Sequence, residues 1–482
     1  MAQRALLWFL FIGLWVANPG VQAKGPQPLA RTIATLVRQA GLGDGVGIHV
    51  VRLHDAEELY RMRPDQPRNP ASNQKLLTAA AALRRLGPSF TASTRVEGKI
   101  QANGHVAELV IRPSGDPSLG YASLVALAES IRLRGVDRVD RVVIDDTYFD
   151  DRVLPPAFEQ QPQEAAAFRA AISAFAVNRN SYVIHLGPGP EVDAPGRVRV
   201  LSEDYVQVDN RTVTTASGPP TPRIDDKITP DGHLSVVVEG AIPKRVGTLH
   251  YRRRVPDPKA YAASLLVQAL KKAGIGGALT AAYGVAEQPL PLIGQMPSAP
   301  LSTLLYSMGK WSDNFTAEMI LKIMGAQAQR PGTSARGVSV VLEELQEMGV
   351  DTEGLVMVNG SGLFDGNRVA PRHITQTLVA AYHDPAIAPE YVSLLAVAGS
   401  DGTLQSRLQD LPRPRMVRAK TGTLRDVIAL SGYVLGDPER SIAFSFLANG
   451  VAGKQRAARE LADDIVRVLA DDVTERDPGA ER

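Results

Sequence analysis

Ser72 and Lys75 stand three residues apart, a spacing that on a helix puts both side chains on one face with Cβ atoms about 5–6 Å apart. A lysine amine at that reach can take the proton of a serine hydroxyl, and the activated oxygen attacks a carbonyl carbon. At a helix start the free backbone N–H groups favour an anion, so the Ser72 N–H can help hold the oxyanion. Ser312-Asp313-Asn314 is the only S-x-N in the chain. Its hydroxyl can relay a proton to a leaving group and its amide can orient a substrate, if the backbone turns sharply between helices. Lys420-Thr421-Gly422-Thr423 holds the only K-T-G. On a strand, Lys420 and Gly422 point one way while Thr421 and Thr423 point the other. Gly422 lets a second backbone come close. An edge strand here can bind an extended peptide through its main chain, with the Thr423 N–H as second oxyanion donor and Lys420 bearing on a substrate carboxylate and the base.

Each pattern alone has an ordinary counterpart: a serine near a helix start, an Asx-type turn, a solvated edge lysine beside a tight glycine. Ser307-Met-Gly-Lys310 is a second S-x-x-K. There Gly309 is expected to interrupt the helix, so this copy reads as surface or packing.

The elements that must position these residues follow from periodicity and breakers. Leu29–Gly41 reads as a helix, Gly45–Leu53 as a strand with a partner from Glu58, and Asn69–Leu86 as a helix opened by Pro70 and stopped by Gly87-Pro88. From Thr91 to about Ile293 short β-rich stretches dominate: Arg95–Ile100, Val106–Arg112 after the Asn103-Gly104 turn, Arg141–Asp145 and His233–Glu239, closed by a helix over Pro258–Ala273. Helical texture returns over Leu301–Gly325 and Ser334–Met348. Three strands follow, Arg415–Leu424, Val427–Leu435 and Ser441–Asn449, and a last amphipathic helix covers Gln455–Leu469. One early strand and three late ones, with helices at both ends, predict one α+β domain made from both chain ends around a β-rich insertion.

The bulk properties narrow the function classes. The chain has 482 residues and a formal charge of +2, which becomes +1 without Arg4. That near-balance argues against a nucleic-acid partner. There is no cysteine, which removes thiol nucleophiles, Cys-ligated zinc and disulfides together. The eight His residues show no H-E-x-x-H spacing, so a metal site has no support. Arg4, the apolar run Ala5–Val16, the break Asn18-Pro19-Gly20 and the small residues before Ala23 have the form of a secretory leader cleaved after Ala23. The run is too short to span a bilayer, which takes about 20 residues.

Taken together, the serine, lysine, second serine, amide and strand lysine occur in the chain order of the penicillin-recognising enzymes. The sequence resembles the class C low-molecular-mass penicillin-binding proteins, exported D-alanyl-D-alanine carboxypeptidases that also act as endopeptidases. The resemblance extends to Ser114-Gly-Asp-Pro-Ser118, Val143-Ile-Asp-Asp146, Ala176-Val-Asn178, Val255-Pro-Asp-Pro258, Gly360-Ser-Gly-Leu363 and Val397–Leu404. Ser114 stands where the family more often has Gly, and Asn359 where it more often has Asp; neither touches a proposed catalytic group.

The resemblance implies a penicillin-recognising serine transpeptidase/β-lactamase-like domain over 24–90 and 294–475. Inserted domains would cover 91–180 with 241–293, and 181–240, with 1–23 as signal peptide and 476–482 as tail. It implies a periplasmic enzyme that needs no cofactor and is acylated at Ser72, with Lys75 as base. Ser312 and Asn314 would serve the leaving group and the peptide, while Lys420, Thr421, Gly422 and Thr423 would form the substrate-binding strand. Lys75 must then be neutral near pH 7, against about 10.4 in water, a difference of about 4 kcal/mol. The implied partners are peptidoglycan stem peptides ending in D-Ala-D-Ala, cross-linked peptides and β-lactam antibiotics. Two rivals stay open: an esterase or β-lactamase of the same superfamily, and a non-catalytic wall-binding protein. Ser361 and Asp401 are read as turn formers.

Overall fold

The computed structural model describes residues 28–200 and 205–475, so the expected leader and the 476–482 tail lie outside the described residues. The N-terminal part supplies α1 (Pro28–Ala40), β1 (Val46–Arg52), β2 (Glu58–Met62) and α2 (Gln74–Leu86). The middle supplies β3 (Ser93–Glu97), β4 (His105–Pro113), α3 (Tyr121–Leu133), β5 (Arg138–Ile144), β6 (Ser181–Gly187) and β7 (Arg197–Val200). It continues with β8 (Val206–Thr215), β9 (Arg223–Ile228), β10 (Leu234–Pro243), β11 (Leu249–Arg254), α4 (Pro258–Lys272), β12 (Thr280–Tyr283) and β13 (Leu292–Pro297). The C-terminal part brings α5 (Leu301–Trp311), α6 (Asn314–Ala328), α7 (Ser334–Glu347), α8 (Pro371–His383), α9 (Ala388–Ser393) and β14 (Ala396–Val397). It ends with β15 (Val417–Leu424), β16 (Val427–Val434), β17 (Ile442–Asn449) and α10 (Gln455–Thr474).

Both chain ends build one antiparallel six-stranded sheet in the order β14-β15-β16-β17-β1-β2. The pleat gives it two apolar faces. Ala429, Tyr433, Ala443 and Leu447 pack with α2 and α5–α8, while Ile428, Leu430, Phe444 and Phe446 pack with α1 and α10. The middle region forms a five-stranded mixed sheet, β12-β5-β4-β3-β13, and two three-stranded sheets, β8-β10-β9 and β11-β6-β7, around a second core. The expected breaks after 240 and after 293 fall inside β10 and β13.

Several expectations need correction. The main sheet has one strand beyond those expected, the two-residue β14 beside β15, while β2 is the expected partner of β1. The helix after Pro70 does not begin at Asn69: Ala71 has φ 45, and a 3₁₀ turn over Ala71–Asn73 precedes α2. Nor does Gly309 interrupt a helix. It lies inside α5, where a Cβ would run into the Leu394 carbonyl oxygen. The same helix buries Lys310, whose Nζ pairs with Asp401 at 2.8 Å, so the second S-x-x-K is packing.

Candidate active site

Ser72 sits in the 3₁₀ turn between Pro70 and α2, and that turn is pinned from several sides. Asn69 Oδ1 accepts the Ala71 N–H at 2.9 Å, and Asn69 Nδ2 donates to the Phe364 carbonyl at 3.0 Å. Asn449, at the end of β17, accepts the Asn69 N–H at 2.8 Å and donates back to the Asn69 carbonyl at 3.0 Å. Beneath the turn, Asn73 Nδ2 donates to Ser431 Oγ at 2.8 Å, and Ser431 Oγ reaches Ser445 Oγ at 3.0 Å. Gly422 of β15 lies against the turn: a Cβ there would stand 3.0 Å from the Ala71 Cβ and 3.1 Å from the Pro70 oxygen. This is the close backbone approach that the K-T-G glycine predicts.

In the first turn of α2, Lys75 is completely buried and turns its amine toward Ser72. Its Nζ donates to Ser72 Oγ at 2.9 Å, to Asn314 Oδ1 at 2.7 Å and to the Ser361 carbonyl at 2.7 Å. Burial pushes the amine down to about 7, against a smaller opposing pull from Glu318 and Asp313. At neutral pH a substantial part of Lys75 is therefore unprotonated.

The S-x-N stretch makes the sharp turn that the spacing requires. Ser312 ends α5 with φ 61 in the left-handed region, and Asp313 caps α6 by accepting the Phe315 N–H at 3.1 Å. Asp313 is also held by Arg179 of the middle region at 3.0 Å. Asn314 thereby starts α6 facing Lys75, while its Nδ2 donates to the Phe168 carbonyl at 3.1 Å.

Strand β15 is not the outer strand that an edge position predicts. Yet β14 pairs only with Arg418 and Ala419, which leaves the β15 edge from Lys420 to Leu424 unpaired on that side. Lys420 is fully buried and held well below the usual lysine range, first by burial and then by the charge of Lys75. Its Nζ donates to the Thr421 carbonyl at 2.9 Å rather than to a group of the base. Thr421 Oγ1 meets Thr403 Oγ1 at 2.8 Å. Thr423 is exposed at the rim.

A cleft of about 570 Å³ joins these parts, with Ser72, Ser312, Asn314 and Thr423 in its wall beside Phe168, Gly362 and Leu363. Lys75 and Lys420 stand behind that wall. Two participants have no counterpart in the motif reading. The Ser361 carbonyl accepts from Lys75 Nζ, and Glu318 is a fully buried carboxylate whose Oε1 and Oε2 accept the Ser361 and Gly360 N–H groups at 2.8 and 3.2 Å. The signal for Glu318 is its position, four residues after Asn314 on a mostly apolar helix whose only other charge is Lys322.

An antiparallel sheet with helices on both faces, and a serine and a buried lysine at the start of a central helix, define the penicillin-recognising serine enzyme fold. The chain belongs to the D-Ala-D-Ala carboxypeptidase 3 (S13) family, matched over residues 29–472. It is 34% identical over 423 residues to the D-alanyl-D-alanine carboxypeptidase of Actinomadura sp. (strain R39), covering 84% of this chain and 78% of that relative. Penicillin binding protein 4 (dacB) of Haemophilus influenzae superposes with a TM-score of 0.75 at 23% identity, over 90% of this chain and 99% of the other. The same protein complexed with a β-lactam superposes at 0.70 over the same shares, also at 23% identity. The chain is thus a serine-type D-alanyl-D-alanine carboxypeptidase. No helix among the described residues is long and apolar enough to cross a membrane.

Proposed function

We propose that Ser72 is the nucleophile and Lys75 its general base in an acyl-enzyme mechanism acting on peptidoglycan peptides. Ser72 Oγ bonds to the carbonyl carbon of the penultimate D-alanine and its proton passes to Lys75. The C–N bond to the terminal D-alanine then breaks; Ser312 gives its proton to the departing nitrogen and takes up the one Lys75 holds, which frees the base. Water attacks the acyl-enzyme in the second half, giving up a proton to the same base and releasing the shortened peptide. Asn314 orients the peptide, and the Ser72 and Thr423 N–H groups hold the oxyanion. Lys420, Thr421 and Thr423 receive the substrate carboxylate, with Gly422 allowing β15 to lie against the nucleophile turn.

The observation that carries this reading is the 2.9 Å contact between Ser72 Oγ and the Lys75 amine, which burial brings down to about 7. The same chemistry extends to cross-linked peptides and to β-lactams, whose strained amide presents the same carbonyl; the β-lactam complex of the Haemophilus protein supports this. On the residue pattern of the first 23 positions, the enzyme is exported to the periplasm after cleavage at Ala23. The division into 24–90 with 294–475, 91–180 with 241–293, and 181–240 is part of the same proposal. The separate sheets of the middle region support it once the break after 240 is moved past Arg254, which keeps β11 with its partner β6, and the break after 293 past Pro297, which keeps β13 with β3.

A fluorescent penicillin tests the assignment. It should label the wild-type protein at Ser72, and Ser72→Ala should abolish the label. Label retained on the alanine variant would defeat the assignment.

A further inference from the structure

Glu318 has no place in the mechanism above, yet it is among the most thoroughly buried carboxylates of the molecule and lies beside the base. It shares one face of α6 with Asn314, four residues earlier, and both side chains point at the same amine by different routes. Asn314 touches Lys75 directly. Glu318 works through the turn after Val358: its two oxygens accept the Gly360 and Ser361 N–H groups, and the Ser361 carbonyl accepts from Lys75 Nζ at 2.7 Å. From the other side Thr78, one turn beyond Lys75 on α2, donates to the Gly360 carbonyl at 2.8 Å. The turn is clamped between two helices, and a side chain at Gly360 would stand 2.9 Å from the Ala317 carbonyl oxygen.

We propose that Glu318 is a positioning residue for the Lys75 amine, presenting the Ser361 carbonyl to it and forming with it one buried, charge-coupled unit. The inference rests on the reading of Ser72 and Lys75 given above. An isolated carboxylate at this depth is costly unless hydrogen-bonded and matched by an opposite charge. Two peptide N–H groups and the lysine supply both. The other charges facing Lys75 are Asp313 at the α5–α6 turn, already paired with Arg179, and Lys420 on β15. The turn of residues 359–363 carries no charged side chain.

The chemical consequence concerns the proton taken from Ser72. When it reaches Lys75, the ammonium formed meets a carboxylate across a single residue, Ser361, instead of standing alone in the core. Burial raises the Glu318 carboxyl, and the Lys75 charge opposes that rise. Lys75⁺ with Glu318⁻, and neutral Lys75 with protonated Glu318, carry the same net charge, so the two groups titrate as a pair.

The test is the pH dependence of acylation by a fluorescent penicillin in the full-length protein carrying Glu318→Gln. With the negative charge gone, less holds the proton on Lys75. The acid limb should move down by about one pH unit, while the plateau rate falls because the Ser361 turn loosens. Glu318→Asp keeps the charge and should retain the wild-type limb with a reduced plateau. A Glu318→Gln profile that keeps the wild-type position and only drops in height assigns Glu318 a structural part and overturns the proposal. If Glu318→Gln does not fold, ¹³C-lysine NMR of the wild-type protein decides. A coupled unit gives the Lys75 signal two titration steps, and a single step refutes it. Absence of Ser72 labelling in the wild type at every pH would instead reject the nucleophile assignment.

Discussion

A lysine amine acts as a base only after shedding its proton, and complete burial brings that point for Lys75 down toward neutrality. Its affinity for a proton is lowered by burial to about 7, so the fraction able to accept the Ser72 proton grows through that range. Acylation by a penicillin should rise about tenfold per pH unit below 7 and level off above it. Lys75→Arg replaces the amine with a guanidinium that stays charged and should bring labelling below detection. A rate constant unchanged between about pH 5.5 and 8 would contradict this. At this scale most of the site was legible in the sequence. Ser72, Lys75, Asn314 and Gly422 meet as their spacing and contexts require, and Ser312 and Thr423 share their cleft. The Ser361 carbonyl was not legible, because a peptide oxygen leaves no mark in side-chain pattern. Glu318 was overlooked because a lone acid on a helix resembles a solvated position until the helix is seen to be buried on all sides.

The elements bring these residues together by clamps outside the motifs. The chain entering the Ser72 turn is extended for one residue, Asn69, whose N–H and carbonyl have no ladder partner. Asn449 satisfies both, acting as the last rung between β17 and the Ser72 turn. Asn449→Ala leaves two largely buried peptide groups without that partner, a loss of about 2 kcal/mol. It also frees the turn to drift from β15. The expected result is a lower thermal midpoint together with several-fold slower penicillin labelling; unchanged labelling in a destabilised variant would confine Asn449 to stability. In the catalytic part the expected boundaries lie within a few residues of the observed ones at Gly87 and at Gly436-Asp437-Pro438, whereas α8 and α9, though opened near Pro371 and Pro389, have no counterpart in the sequence pattern reading. The start of α2 was misplaced because a left-handed alanine at 71 carries no compositional signal. Helix α3 was missed although Leu124, Leu127, Ala128 and Ile131 have helical spacing, since the surrounding β texture masks a thirteen-residue segment. The parallel pairing of β8 with β10 depends on partners distant in sequence, which alternation alone does not reveal.

At the scale of the whole molecule, the middle region is more than an appendage to the catalytic sheet. Phe168, Gln160 and Gln161 form part of the cleft wall, and the Phe168 carbonyl holds the Asn314 amide. Helix α6 is gripped a second time by Lys322, whose buried Nζ donates to Asp150 Oδ1 at 2.6 Å and to the Arg152 carbonyl at 2.7 Å. The helix carrying Asn314 and Glu318 is thus anchored to the inserted segment again one turn beyond Glu318. Removing one partner of such a pair strands the remaining charge, which costs about 3 kcal/mol. In Lys322→Met the new side chain suits the apolar helix, so α6 itself should persist, while Asp150 loses its counter-charge and the segment around it loosens. The variant should show a lower thermal midpoint and faster proteolytic nicking between residues 146 and 154. Penicillin labelling should also slow, because the cleft wall and the Asn314 amide lose support together. Nicking and labelling that both match the wild type would mean that the inserted region rides on the catalytic domain without shaping its site.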